Sequence, residues 1–192
     1  MWLSYGQLIS IGFAAIGADV SIDEKALILG PEHIRIGSHV RIDAFSVLSA
    51  GPGDLTIGDH VHLGVSVRIY AAAGVMVESF VGLSSGVAVY SVSDDFVGGA
   101  LTTPTVPADL RNVTAKPVFL GRHAIVGAGS VILPGVHLGD GASVGALTLV
   151  HRNVPTNVIV RGNPMARVGM RNGDRLRDLE AELQRREASG EP

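Results

Sequence analysis

Seven histidines and no cysteine define the chemistry open to this 192-residue chain. Without thiols there is no cysteine nucleophile, no disulfide framework and no thiolate zinc site, so proton transfer falls to imidazoles and carboxylates. Two imidazoles stand out, His123, fourth in its unit of the repeat described below, and then His62, which ends its unit at a corner, because both positions can point outward. Of the others, His33 falls in a corner insertion, His39 and His60 share the fourth position of units stacked on one face and read as a surface ladder, His137 is at a late corner, and His151 follows the last clear unit. The carboxylates of interest are Asp94 and Asp95, in Val92-Ser93-Asp94-Asp95-Phe96, which open a segment running to Thr114. Structureless segments of that length are usually functional or disordered. Thr103-Pro104-Thr105-Val106-Pro107 and Arg111-Asn112-Val113-Thr114 argue for a fixed excursion, although Asp94 and Asp95 can equally cap their own loop through Asx-type hydrogen bonds.

The elements that must position these groups follow from a six-residue repeat. It is clearest in Leu120-Gly121-Arg122-His123-Ala124-Ile125, Val126-Gly127-Ala128-Gly129-Ser130-Val131 and Ile132-Leu133-Pro134-Gly135-Val136-His137. An aliphatic residue opens each unit and a small or β-branched one sits four places later. Six residues turn an α-helix by roughly 600°, which scatters the apolar positions, whereas short strands joined by Gly-rich corners keep them on one side. The frame runs back through Val89, Leu83, Val77, Ile69, Leu63, Ile57, Leu48, Ile42, Ile36, Ile28 and Ile22 to Ile16, and forward to about Val150. Extra residues appear between Ile28 and Ile36, Leu48 and Ile57, and Ile69 and Val77, always after the third unit. Three units therefore make one turn of a triangular parallel β-helix, and all insertions, with the long excursion at about 94–113, leave one corner.

Both ends depart from the hexad. Ser4 to Phe13 predicts a short helix capped by Ser4 and closed by Gly12, covering the first coil. Leu176, Leu179 and Leu183 at i, i+3 and i+7 predict a C-terminal helix whose apolar stripe packs on the prism or a neighbouring subunit, with fraying from Ser189 onward. One domain is expected, with a β-helix over 15–168 and a helical tail over 169–192. Aromatic content of 5% suits a narrow prism, and a net charge of −3 gives no reason to expect nucleic acid or an anionic membrane. The N-terminal residues read as neither signal peptide nor membrane span, and a cytoplasmic location is expected.

The repeat, the excursion, Gly127-Ala128-Gly129-Ser130-Val131-Ile132 and Gly162-Asn163-Pro164-Met165-Ala166 resemble the hexapeptide-repeat acyltransferases, whose fold is a left-handed parallel β-helix. The resemblance supplies the handedness and implies acetyl-coenzyme A as co-substrate, no metal, and a homotrimer with grooves between prisms. It places the pantetheine arm beside Gly127-Ala128 and Gly145-Ala146, with His151, Arg152, Arg161 and Arg167 as cations for the phosphates. In the sugar O-acetyltransferases a catalytic His stands where the excursion begins, and Asp94 stands there in this chain. Ser93-Asp94-Asp95-Phe96 with the Thr-Pro and Asn-Val-Thr segments looks more like a subgroup acylating nucleotide-linked amino sugars, typified by dTDP-4-amino-4,6-dideoxyglucose acetyltransferases. On that likeness His123, His62 and Asp94 are the catalytic candidates, and Asp94, Asp95, Asn112 and Thr114 the acceptor-binding ones.

Alternatives remain at this level. An O-acetyltransferase of a saccharide is the main one, because only the acceptor's reactive atom separates it from an N-acyltransferase. A γ-type carbonic anhydrase needs three His on zinc between subunits, which the different aims of His60 and His62 disfavour. An inactive binding scaffold shares the fold as well, since a fold does not specify a function.

Overall fold

The computed structural model describes residues 1–190. The six-residue units become two- to four-residue strands that stack into three sheets, forming a parallel solenoid of about seven turns. The first sheet runs from Ala15–Ile16 to His137–Leu138, the second from Ser21–Ile22 to the C-terminal hairpin, and the third from Leu27–Leu29 to Leu149–Val150. The unit-opening residues form one inward column per sheet. In the second sheet the column is Ile22, Ile42, Leu63, Leu83, Val126, Val144 and Val160. In the third it is Ile28, Leu48, Ile69, Val89, Ile132 and Val150. All of these except Ile28, in the open first coil, are buried. The insertions and the excursion all leave the corner between the third and first sheets, as the phasing of the sequence requires.

Polar residues enter this core where a corner carbonyl of the same or the next coil offers a partner. Ser46 donates to the Gly64 carbonyl at 3.2 Å, Ser130 to that of Gly145 at 2.9 Å, and Thr148 to the same carbonyl at 2.8 Å. At the N-terminal end helix α1 (Tyr5–Ile11) lies over the first coil, with a reciprocal Ser4–Gln7 capping box, a left-handed Gly12 and a buried Leu8. At the other end Val158–Arg161 and Ala166–Met170 form an antiparallel hairpin that closes the second sheet. The Gly162-Asn163-Pro164-Met165-Ala166 stretch is its turn.

Helix α2 (Gly173–Ser189) departs from the sequence reading in three respects. It starts at Gly173 rather than 169, because Ala166–Met170 is a strand and the Asn172 side chain caps the helix by accepting from the Arg175 N–H at 3.0 Å. Ser189 is its last helical residue, Gly190 caps it, and Glu191 and Pro192 lie outside the described residues. Only the first leucine of the stripe faces this prism: Leu176 is half-buried beside Thr156 and Asn157, whereas Leu179 and Leu183 are exposed. The helix turns a carboxylate face to the prism instead, because the corner beneath it presents Arg122 and imidazoles. Glu180 binds the Arg122 guanidinium and lies 2.6 Å from His123 Nε2, and Arg171 donates to the His123 carbonyl at 2.5 Å.

The Arg122 hydrogen bond, with a further one from His123, holds the Glu180 carboxyl below its ordinary value of 4.5 against the opposing effect of burial. A depressed carboxylate stabilises the docked helix above its unfolded pKa, and that contribution disappears as pH falls through the folded value. Hydrogen-exchange protection of α2 is therefore expected to be full at neutral pH and to be lost only once the pH falls below the usual carboxylate range. Glu180→Gln should remove about 1–2 kcal/mol of docking at neutral pH and abolish that acid step. An α2 whose protection ignores both changes would show that the ion pair does not hold it.

Candidate active site

Two hollows flank the third sheet, one at each of its corners. The larger, about 750 Å³, lies under the excursion and is lined by Tyr70, Tyr90, Val92, Ser93, Asp94, Phe96, Pro104, Val113 and Leu133. Tyr70 and Tyr90 pair in register on neighbouring strands, and their rings stack at 5.1 Å and 13° to form a flat aromatic wall. The excursion is tied at its neck by antiparallel pairing of Val92 with Ala115 and Ser93 with Thr114. Within it, the Leu101 N–H donates to the Leu110 carbonyl at 2.9 Å. The loop is thus a built element that carries an exposed Asp94 to the rim of an apolar cavity.

The neighbouring Asp95 has the plainer of its two roles. Its carboxylate accepts from the Val97 N–H at 2.7 Å and the Gly99 N–H at 3.0 Å, so both oxygens hold the loop rather than face a ligand. Asn112 and Thr114 are exposed on the neck and do not line the cavity, although Val113 between them does. Arg111, the one cation of the excursion, keeps a buried Nε with no partner among the described residues. Sequence reading did not single out Arg111 or the tyrosine wall, because Tyr70 and Tyr90 come together only through strand register.

The second hollow, about 310 Å³, is lined by Asp43, His62, Gly64, Gly82, Leu83, Ser84, Ser85 and Ile125. His62 lies in a strand of the second sheet with Leu63, not at a corner, and points outward in register with Arg41 and Gly82. Gly82 leaves the notch beside it: a Cβ built there meets nothing nearer than Ile125 at 3.9 Å. Asp43, from the coil below, lies 2.9 Å from His62 Nε2 and accepts from Arg41 Nε at 2.7 Å. Burial opposes its charge, but the hydrogen bonds to His62 and Arg41 outweigh that and hold the carboxyl below the usual range. An ionised, buried carboxylate orients the imidazole through Nε2 and leaves Nδ1 without a partner among the described residues. Asp43 has no signal in the sequence beyond its place one coil beneath His62.

His123 is in a different situation. Its side chain is 12% exposed, covered by α2, bound to Glu180 and stacked on Phe80 at 5.0 Å. It lies at the corner between the first and second sheets, and the structure does not bring it to either hollow. The expectation that it projects freely fails because the C-terminal helix folds back over its corner.

Gly127-Ala128 and Gly145-Ala146 lie on successive coils at the corner between the second and third sheets, directly above Ser84-Ser85. Glycine is required there by stacking: a Cβ on Gly127 runs into Ala146 N, and one on Gly145 comes within 2.8 Å of the Arg161 Cβ. The same tight stacking exposes a shelf at Ala128 and Ala146, whose N–H groups find no acceptor among the described residues. Arg161 and Arg167 are exposed on the hairpin above this shelf. Arg152 donates to the Met165 carbonyl at 3.1 Å, and the His151 ring lies 3.3 Å from the Leu149 carbonyl.

No family model matches the chain. It is 36% identical over 175 residues to a dTDP-4-amino-4,6-dideoxy-D-glucose acyltransferase of Escherichia coli, covering 91% of each chain. Among solved structures, a serine-to-cysteine variant of AntD, an N-acyltransferase from Bacillus cereus, in complex with dTDP-4-amino-4,6-dideoxyglucose and coenzyme A, superposes with a TM-score of 0.92 at 36% identity, covering 96% of this chain and 97% of that one. AntD in complex with dTDP and 3-hydroxybutyryl-CoA gives the same TM-score and identity over 96% of each chain. The acetyltransferase domain of PglB from Neisseria gonorrhoeae, bound to acetyl coenzyme A, shares the fold at a TM-score of 0.59 and 17% identity, covering 78% of this chain and 58% of that one. With 36% identity across 91% of both chains and a hexad-built prism that overlays on AntD, the chain belongs to the hexapeptide-repeat acyltransferases of left-handed parallel β-helix fold.

Proposed function

We propose that this protein transfers the acetyl group of acetyl-coenzyme A to the amine of a nucleotide-linked 4-amino-4,6-dideoxy hexose. The observation that carries the reading is an exposed Asp94, in place of a histidine, at the rim of an aromatic-walled cavity, in a chain so similar to enzymes of that substrate class. The amine lone pair attacks the thioester carbon, the C–N bond forms, the C–S bond breaks, and the thiolate leaves. Asp94 holds the amine, while His62, oriented by Asp43, takes its proton directly or through a water. The free N–H groups of Ala128 and Ala146 suit the oxyanion or the amides of the pantetheine arm. Arg161 and Arg167, with Arg152 and His151 nearby, suit its phosphates. The tyrosine wall is a stacking surface for a planar base, and the unpartnered Arg111 Nε calls for an acceptor oxygen. An alcohol would need a strong base at the moment of attack, so the carboxylate in the histidine's place favours the amine over an O-acetyltransferase. Coenzyme A thioesters and nucleotide sugars as substrates support a cytoplasmic location.

Asp94 and His62 lie on opposite sides of the third sheet, a side of about six residues that spans at most about 20 Å. A homotrimer resolves this separation if the excursion of one prism meets the corner between the second and third sheets of the next. Exposed apolar residues mark both surfaces: Phe96 at 90% and Val97 at 93% on the excursion, and Leu147 at 76% with Phe45 and Val65 along that corner. The single domain, with its two helices as end cap and strap, would then supply half of each site.

Sedimentation is expected to give a trimer, and Leu147→Asp to give smaller species without activity. A monomer with full turnover would sink the shared site. Thiol release should be followed with acetyl- and 3-hydroxybutyryl-CoA against a nucleotide 4-amino sugar and its 4-hydroxy counterpart. Turnover of the amine is expected, and turnover of the hydroxyl sugar alone would overturn N-acylation. His62→Ala should lower kcat on the order of 10²-fold or more, and Asp43→Asn should do so in part. His123→Ala should leave kcat nearly unchanged and loosen α2; a large kcat loss confined to His123→Ala would reverse the assignment.

A further inference from the structure

The corner between the first and second sheets carries a column of side chains that acyl transfer does not use. Asp19, His39, His60, Phe80 and His123 occupy one left-handed backbone position, with φ from 53° to 64°, on successive coils. Their rings stack: His39 on His60 at 4.7 Å and 11°, and His60 on Phe80 at 4.8 Å and 9°. Imidazole nitrogens of consecutive coils are thereby set side by side. Helix α2 lies along this column, with Glu180 at His123 and Glu187 at His60. Seven helical residues rise about 10.5 Å, and two coils at strand spacing rise about 9.6 Å, so helix and prism stay in step. At the upper contact Arg122 matches the carboxylate. At the lower one, Glu187 Oε1 lies 3.6 Å from His60 Nε2, and Asp19 lies 3.5 Å from His39 Nδ1, leaving two carboxylates around two imidazoles. One ligand atom from each of His39, His60 and Glu187 lies within 4.8 Å of the others.

We infer that His39, His60 and Glu187 bind a divalent transition-metal ion of the zinc class that clamps α2 to the prism. Two imidazoles and one carboxylate, with water in the fourth position, suit Zn²⁺. Mg²⁺ and Ca²⁺ favour oxygen-rich sites. Bonds of about 2.0–2.2 Å require donors roughly 3.3 Å apart. His39 and Glu187, 43% and 40% exposed, have room to rotate inward. Asp19, 3.5 Å from His39 Nδ1, stands where a carboxylate partner would orient that imidazole with Nε2 as the ligand.

Tag-free full-length protein, stripped with a chelator, should bind one Zn²⁺ per chain in calorimetry and show no comparable heat with Mg²⁺. His60→Phe keeps the stacked ring, as Phe80 already does one coil above, and removes the donor nitrogen. That change and Glu187→Gln should each weaken Zn²⁺ binding at least about tenfold. Zn²⁺ should also slow hydrogen exchange along α2 in the native protein and not in the variants. Absence of Zn²⁺ binding, unchanged affinity in both variants, or equal binding of Mg²⁺ would overturn the site.

Discussion

The backbone hydrogen bonds between successive coils are the constraint on which the rest of this molecule depends. They set every residue about 4.8 Å from its counterpart on the coil above and below, so each sequence position belongs to a column, and the column decides what it can be. Inward columns of Ile, Leu and Val fill a space too narrow for aromatic rings. Corner columns tolerate only residues that accept close stacking, which is why Gly127 and Gly145 stand where a Cβ would meet the next coil. Polar side chains in the interior, such as Ser130 and Thr148, survive by binding a corner carbonyl, here that of Gly145 for both.

The same constraint gives each corner a separate task. The corner between the third and first sheets absorbs every insertion, and so it alone extrudes a long excursion without breaking the ladder. The corner between the second and third sheets narrows to Gly127-Ala128 and Gly145-Ala146 on its late coils and leaves the Ala128 and Ala146 donors without an acceptor among the described residues. The corner between the first and second sheets keeps rings in left-handed conformations that each cost about 1–2 kcal/mol. Ring stacking and the carboxylates of α2 offset that cost.

Placing unlike surfaces on different corners keeps the residues of the proposed reaction centre apart within one prism. Asp94 and its cavity face one side of the third sheet, and the Asp43–His62 pair with the Ala128–Ala146 shelf faces the other. On the proposed reading, association brings them together and covers the bare Phe96, Val97 and Leu147. Within the subunit, α2 commits its acidic face to the prism and leaves Leu179 and Leu183 outward, so its apolar stripe too remains free for a neighbouring chain.

Much of the architecture was legible in the sequence, because the hexad is a one-dimensional image of the columns: the aliphatic openings from Ile16 to Val150, the corner that takes the insertions, and the Ser4 and Gly12 caps of α1 all follow from spacing alone. The excursion and Asp94 at its head were legible for the same reason, as an interruption of a strict period. Spacing carries no information on contacts between distant segments, and that is where the reading of the site changed. Only the folded chain shows that α2 returns across 57 residues to cover His123, that the neighbouring coil sets Asp43 beneath His62, and that strand register builds the wall of Tyr70 and Tyr90. A period fixes which way a side chain points. Whether that direction leads to solvent, to a partner charge or under a helix is decided by what the rest of the chain packs there.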